Sequence, residues 1–170
     1  VGSEMCIRDR EYSESEKILK DIVKQNPKYI NALVNLANLK NETYFFDEAL
    51  DYYNKALQIK QDVPEIYLNI ANILQTNNKI EEAKISLFKS LKYNNFFTKA
   101  DQNLSMLLSY KNKSNYDHLQ SMEKKLQNND LKDTEKVYLH FGLAKSYEDR
   151  QDFSNAFIHL KSGNLLKSQN

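Results

Sequence analysis

Apolar residues recur every three or four positions along most of the chain, with polar residues between them. This spacing places the apolar side chains on one face of an α-helix, whereas a half-buried β-strand would alternate apolar and polar residues. Short polar runs such as Asn77-Asn78-Lys79 interrupt the pattern and mark turns. The pattern predicts nine helices, over residues 13–25, 30–42, 46–60, 64–77, 80–93, 98–110, 115–128, 134–149 and 153–167.

The helical pattern itself repeats at an interval of 34 residues. The segment Asn35-Leu36-Ala37-Asn38 of one copy aligns with Asn69-Ile70-Ala71-Asn72 of the next. The repeat divides the chain into a leader over 1–11, the second helix of a truncated repeat over 12–29, and units over 30–63, 64–97, 98–136 and 137–170.

Small residues stand at three fixed positions of the repeat, where they are predicted to let helices pack closely. They are Ala37, Ala71, Ser105 and Ala144 at position eight, Ala49, Ala83 and Ala156 at position twenty, and Ala56, Ser90 and Gly163 at position twenty-seven. One helical hairpin cannot bury its own apolar face, so stacked neighbours supply the core. The pattern resembles the tetratricopeptide repeat (TPR), which implies an all-α, right-handed superhelix (α-solenoid) of helix-turn-helix repeats.

The unit over 98–136 departs from the pattern, because its position twenty is Asp117 and five extra residues precede the next unit. Ser114 and either Asp133 or Thr134 are the predicted N-caps of the helices that follow. The second helix of this degenerate unit is predicted to pack in an altered register through Tyr116, Leu119, Met122 and Leu126.

Composition narrows the range of functions. The chain has 3 glycines and 2 prolines, well below average usage of about 7% and 5%, which argues against glycine-rich phosphate loops and nucleophile elbows. A net charge of +1 with interleaved lysine and glutamate gives no reason to expect nucleic acid or anionic membrane as a partner. The lone Cys6 and the lack of a long apolar run predict a soluble cytoplasmic protein. Residues 1–11 lack any period, resemble a translated cloning adapter and are predicted to be disordered.

Residues of the last third support a narrower resemblance. The segment Tyr138-Leu139-His140-Phe141-Gly142-Leu143-Ala144-Lys145, followed by Asp152-Phe153 and Gly163-Asn164, is similar to the closing repeat of bacterial TPR–sulfotransferase fusion proteins. This resemblance implies that the chain recruits substrate for a catalytic domain that uses the sulfate donor PAPS and would follow Asn170. The alternative is a free-standing scaffold or adaptor that assembles a protein complex, with no enzyme attached.

Side chains that could carry chemistry are better explained as structural. His118, His140 and His159 lack partners at metal-ligand spacing, so they are interpreted as interface or surface residues. The charge runs Glu81-Glu82 and Glu123-Lys124-Lys125 are interpreted as solvated helix faces. The sequence therefore predicts no catalytic residue, no metal site and no cofactor within this chain.

A binding surface remains as the predicted functional feature. Positions 2, 5, 6, 9, 12 and 13 of each first helix lie opposite its apolar face, and by resemblance they line the concave wall of the superhelix. They are Asn31, Val34, Asn35, Asn38, Asn41 and Glu42, then Glu65, Leu68, Asn69, Asn72, Gln75 and Thr76, then Lys99, Gln102, Asn103, Met106, Ser109 and Tyr110. The residues predicted to bind a protein or an extended peptide are Asn35, Asn38, Asn69, Asn72, Asn103, Gln75, Lys99 and Gln102.

Asn35, Asn69 and Asn103 recur at position six, although asparagine inside a helix is up to about 0.7 kcal/mol worse than alanine. One interpretation is that their amides pair with the backbone of a bound peptide. The other is that each amide bonds to a neighbouring helix and stiffens the stack.

The two ends of the array are expected to lack the caps that usually cover a repeat stack. Ile18, Ile22, Phe157 and Leu165 are therefore predicted to be partly exposed, and the ends could support self-association.

Overall fold

Nine α-helices joined by short turns form the part of the chain described by this computed structural model, which comprises residues 2–169 and the side chains of 12–111 and 113–169. The helices are α1 (Gly2–Gln25), α2 (Ile30–Glu42), α3 (Phe46–Ile59), α4 (Pro64–Thr76), α5 (Ile80–Tyr93), α6 (Thr98–Leu107), α7 (Tyr116–Leu126), α8 (Asp133–Asp149) and α9 (Phe153–Gln169), with a 3-10 turn over Lys111–Lys113. The all-α prediction is confirmed, and α2 and α5 have the predicted bounds.

The turns inside the repeat hairpins use left-handed backbone without glycine. Tyr44, Asn78 and Gln151 have φ angles of 64°, 57° and 62°. After each of them the chain closes the helix with a backbone bond such as that from the Lys79 N–H to the Leu74 carbonyl, at 2.8 Å. Glycine is the usual residue at this helix-closing position. The scarcity of glycine therefore does not mean that positive φ angles are scarce in this chain.

Replacing Gln151 with glycine is expected to raise the free energy of unfolding by about 1 kcal/mol, because a left-handed residue with a Cβ atom is strained by about 1–2 kcal/mol. Urea denaturation measures the change. Asn78→Gly is the matched control and should gain less, because the asparagine side chain tolerates this conformation. An equal or larger gain at Asn78 would contradict the strain argument.

The predicted small positions lie where helices cross. The buried Ser90 hydroxyl donates to the Pro64 carbonyl oxygen at 2.9 Å, which ties α5 to α4. Gly163 brings α9 close to α8, since a Cβ atom there would lie 3.2 Å from the His140 Cβ atom. All of the small positions are buried except Ala156, which is half-buried. Close packing through small residues is therefore the basis of the stack.

The degenerate unit folds differently from a regular hairpin. Its first helix, α6, packs most extensively on α8 and not on α7. The close crossing depends on Gly142, where a Cβ atom would lie 3.2 Å from the Ser105 hydroxyl oxygen. Helix α7 also packs on α8, and Leu119 and Met122 are buried as predicted, but Tyr116 is 41% exposed. The five inserted residues thus displace α7 and let α8 take its place beside α6.

The first helix begins at Gly2, far before the predicted start at residue 13. The earlier start is compatible with the sequence, because residues 3–25 contain no glycine or proline that would stop a helix from extending. Val1 lies outside the described residues, and disorder of the leader over 1–11 stays a prediction.

The helix starts of the second half differ from the predicted N-caps. Asn115, with a left-handed φ of 55°, precedes α7 in place of Ser114. Lys132 precedes α8, and its backbone N–H donates to the Glu135 carboxylate at 2.9 Å. The Glu135 side chain in the first turn thus accepts a hydrogen bond from the residue that precedes α8.

Apolar side chains at the two ends of the array are exposed, as predicted. Ile18 on α1 is 54% exposed, and Phe157 and Leu165 on α9 are 64% and 57% exposed, while Ile22 is half-buried. Among the described residues, no helix has both the length and the apolar character that a bilayer crossing requires.

Candidate functional site

Hydrogen bonds between asparagine side chains join the first helices of neighbouring units. Asn69 Nδ2 on α4 donates to Asn38 Oδ1 on α2 at 3.1 Å, and Asn103 Nδ2 on α6 donates to Asn72 Oδ1 on α4 at 2.8 Å. These four residues are half-buried, and Asn35 on α2 is exposed. We call the five residues the amide ladder. The bonds place the polar faces of α2, α4 and α6 side by side.

The bonds leave part of each amide group available. An asparagine side chain carries two N–H donors and an oxygen with two lone pairs, and Asn69 and Asn103 each donate one N–H within the protein. For these two residues the structure contains the bond to a neighbouring helix that one interpretation of the repeat requires. No described residue forms a hydrogen bond with the Asn35 side chain. Asn35 therefore offers its whole amide to solvent or to a ligand.

The other residues of the predicted wall divide into two groups. Gln75 and Lys99 are exposed and Gln102 is half-buried, so their polar groups are accessible. Leu68 and Tyr110 are 4% and 0% exposed, which corrects their assignment to the wall. Leu68 packs into the hydrophobic core, and Tyr110 lies beyond the end of α6, where the chain turns inward.

A groove of about 460 Å³ lies between α6, α8 and α9. It is lined by Gln102 of α6, Thr134, Val137, Tyr138 and Phe141 of α8, and Lys167 of α9. Gln102 belongs to both the predicted wall and the groove, so the groove adjoins α6 of the amide ladder. Positions 2 and 5 of the last unit would have identified Tyr138 and Phe141. No signal in the repeat points to Lys167, because it lies on a second helix.

A buried charge cluster ties α7 to α6. The Lys125 ammonium lies 2.8 Å from both carboxylate oxygens of Asp101, and the two residues are 4% and 0% exposed. His118 Nε2 lies 3.3 Å from Asp101, and its Nδ1 lies 2.6 Å from the Tyr110 hydroxyl. Burial raises the pKa of Tyr110. Lys125 is therefore not part of a solvated face, and this corrects the interpretation of the Glu123-Lys124-Lys125 run.

A second polar cluster joins α7, α8 and α9. The Tyr147 hydroxyl donates to the half-buried Glu123 carboxylate, and the Tyr147 ring stacks on His159 with 5.5 Å between centroids. His159 Nδ1 lies 3.0 Å from His140 Nδ1. Burial, with smaller contributions from His159 and Lys136, lowers the pKa of His140 to about 4. Among the described residues, no third ligand-type side chain joins this pair to form a metal site.

Acidification is expected to destabilise the end of the array through His140. The pKa of this histidine is lowered from 6.5 to about 4 in the folded chain, so the unfolded chain binds the proton first as the pH falls. The contribution of neutral His140 to the free energy of unfolding is complete above pH 6.5 and is lost as the pH falls from there towards about 4. Melting temperatures of the parent and of His140→Asn, measured across this range, should show a smaller acid-induced drop in the variant. Parallel curves for the two proteins would contradict the assignment.

Comparison with solved structures shows a shared fold, whereas no family model matches the chain. MamA (41-end) from Desulfovibrio magneticus RS-1 superposes with a TM-score of 0.68 at 15% identity, covering 99% of this chain and 92% of MamA. A tetratricopeptide repeat protein from Parabacteroides merdae superposes with a TM-score of 0.70 at 22% identity, covering 99% of this chain and 64% of that protein. YrrB, a TPR protein with an unusual peptide-binding site, superposes with a TM-score of 0.57 at 18% identity, covering 88% of this chain and 84% of YrrB. The chain therefore has the α-solenoid fold of tetratricopeptide repeat proteins.

Proposed function

We propose that the chain is a binding module that holds an extended peptide or a segment of a partner protein along α2, α4 and α6. The observation that carries the proposal is the amide ladder, which runs across three helices and leads to the groove beside Gln102. Structural similarity to YrrB, a TPR protein with an unusual peptide-binding site, supports the same class of function.

The chemistry of the ladder suits a peptide backbone. Each residue of an extended peptide offers one N–H and one carbonyl, and an asparagine side chain both donates and accepts. The Asn69–Asn38 and Asn103–Asn72 bonds would hold the amides in fixed orientations before a ligand arrives. Binding residues would be Asn35, Asn38, Asn69, Asn72 and Asn103, with Gln75, Lys99 and Gln102 as further polar contacts.

Asn35→Ala is expected to weaken peptide binding without lowering the melting temperature. The Asn35 amide is exposed and has no hydrogen bond to a described residue, and alanine has the higher helix propensity. Loss of one backbone-directed hydrogen bond corresponds to a fall in affinity of about fivefold. Peptides selected from a random library on the parent chain, then titrated against both proteins, provide the measurement.

Two variants sharpen this test. Asn54→Ala removes an exposed asparagine from α3, outside the ladder. It should neither weaken peptide binding nor lower the melting temperature. Asn103→Ala should weaken binding and also lower the free energy of unfolding by about 1 kcal/mol, because it breaks the bond to Asn72. If Asn35→Ala binds the selected peptides as tightly as Asn54→Ala does, the ladder is structural and the binding role is wrong.

On the resemblance of residues 138–164, we further propose that the module recruits the substrate of a sulfotransferase domain, with catalysis itself lying outside this chain. Comparison with solved structures adds no support for this finer assignment, and a free-standing scaffold remains the alternative. The coding sequence after Asn170 distinguishes them. A loop with glycine and arginine residues, suited to the phosphates of PAPS, would support the fusion, and a stop codon after one further helix would support the scaffold.

A further inference from the structure

The groove between α6, α8 and α9 combines apolar walls with one cation. Val137, Tyr138 and Phe141 are half-buried, so each of them presents part of its apolar surface to the groove. The Lys167 side chain is exposed at the same site. None of the described residues that line the groove is a carboxylate, and none of the ion pairs in the described part of the chain includes Lys167. Lys167 is therefore an ammonium beside an apolar surface, without a partner of opposite charge among the residues that the structure describes.

The close approach of α8 to α6 builds this groove. A Cβ atom on Gly142 would lie 3.5 Å from the Gln102 Cα atom and 3.0 Å from the Met122 sulfur. The glycine thus allows Gln102 on α6 and Phe141 on α8 to line one cavity. This contact exists because α8 has replaced α7 beside α6, so the groove is specific to the irregular part of the array.

We propose that the groove binds an aromatic or large aliphatic side chain of the bound peptide, with the side-chain carboxylate of an adjacent aspartate or glutamate paired with Lys167. The inference rests on the proposed peptide-binding function. It identifies the side chains of the peptide that would make binding sequence-specific. The apolar side chain would cover Val137, Tyr138 and Phe141, and Gln102 would bond to the peptide backbone as it passes from the amide ladder. A single ammonium matches a single acidic side chain, which gives the site its charge preference.

The source of the carboxylate is an acidic side chain within the peptide and not a free C-terminus. Among the lining residues, Lys167 supplies the one charge. The backbone N–H groups of Gln102, Val137, Tyr138 and Phe141 lie beyond the first turn of their helices, where they are bonded within α6 and α8. The groove adjoins the polar face of α6, so a peptide along the ladder would pass through it. An internal segment of the peptide is therefore the expected occupant.

Three N-acetylated probes test the assignment on the full chain by following backbone amide resonances in two-dimensional NMR. The probes are N-acetyl-Phe-Glu-amide, its neutral match N-acetyl-Phe-Gln-amide, and N-acetyl-Phe with a free carboxylate. The first probe is expected to shift resonances of residues 134–141 in a saturable way and to bind more tightly than the other two. Lys167→Gln should weaken its binding about two- to fivefold, the range of an exposed ion pair, and bring it to the level of the neutral probe.

Lys161→Gln is the matched control, because Lys161 is exposed on the same helix and does not line the groove. It should leave binding of all three probes unchanged. Equal effects of the two lysine variants, or shifts that do not saturate at 134–141, would overturn the assignment of the groove. Tighter binding of the free-carboxylate probe would overturn the choice of an internal acidic side chain. The proposed function is tested separately by Asn35→Ala, so a failure of the groove assignment can be distinguished from a failure of the proposed function.

Discussion

Replacing Lys125 with methionine is expected to lower the free energy of unfolding by about 3–5 kcal/mol, because removal of one partner leaves a buried charge uncompensated. The Lys125 ammonium contacts both oxygens of Asp101 at 2.8 Å, and Asp101 is 0% exposed. Without the lysine, the carboxylate keeps the His118 ring, 3.3 Å away, as its remaining side-chain partner. Urea denaturation at neutral pH measures the loss.

The neighbouring residue provides a matched control. Lys124 is exposed on the same helix, and Lys124→Met should change the free energy of unfolding by no more than about 0.5 kcal/mol. The double variant Asp101→Leu, Lys125→Met removes both charges and should recover most of the loss. If the two single lysine variants unfold at the same urea concentration, the buried ion pair does not hold α7 in place.

The burial of Lys125 shows where local sequence patterns stop being informative. The run Glu123-Lys124-Lys125 has the composition of a solvated face, and Lys124 is exposed. The partner of Lys125 lies 24 residues earlier, on another helix. Only the packing of α7 brings the two side chains together, and no regular spacing in the sequence encodes that packing.

Features that depend on spacing within one repeat were predictable. The bounds of α2 and α5 and the buried small residues follow from the 34-residue register, because each unit repeats the same contacts. The pairing of α6 with α8 was not predictable in this way, since the five extra residues break the register. Close contact at Gly142 is a consequence of that break.

The candidate site likewise has a part that the repeat predicts and a part that it does not. The positions of Asn69 and Asn103 follow from the repeat, and the structure adds the partners Asn38 and Asn72 one unit earlier. The groove was missed because its cation, Lys167, belongs to a second helix, whereas the positional rule considers first helices only. Contacts between residues of a first helix and residues of a second helix can therefore be identified only from the structure.

Tyr53→Ala is expected to lower the free energy of unfolding by about 3–5 kcal/mol, the cost of deleting a fully buried aromatic ring. Tyr53 is 0% exposed within the hydrophobic core, and burial raises the pKa of its hydroxyl to about 12. The hydroxyl donates to Asn38 Oδ1, the same oxygen that accepts the bond from Asn69. The ring thus packs in the core, while the hydroxyl orients the Asn38–Asn69 pair of the amide ladder.

Two variants separate these roles. Tyr53→Phe keeps the ring and should cost about 1 kcal/mol, the net value of one hydrogen bond. It should also weaken the binding of ladder-dependent peptides, because Asn38 Oδ1 then keeps only the bond from Asn69. Tyr52→Ala truncates the half-buried neighbour and should cost clearly less than Tyr53→Ala, because less of its surface leaves water on folding. Chemical denaturation of the three variants and titration with the selected peptides measure both effects. Equal losses at Tyr52 and Tyr53 would contradict the core assignment, and unchanged peptide binding by Tyr53→Phe would show that the hydroxyl does not orient the ladder.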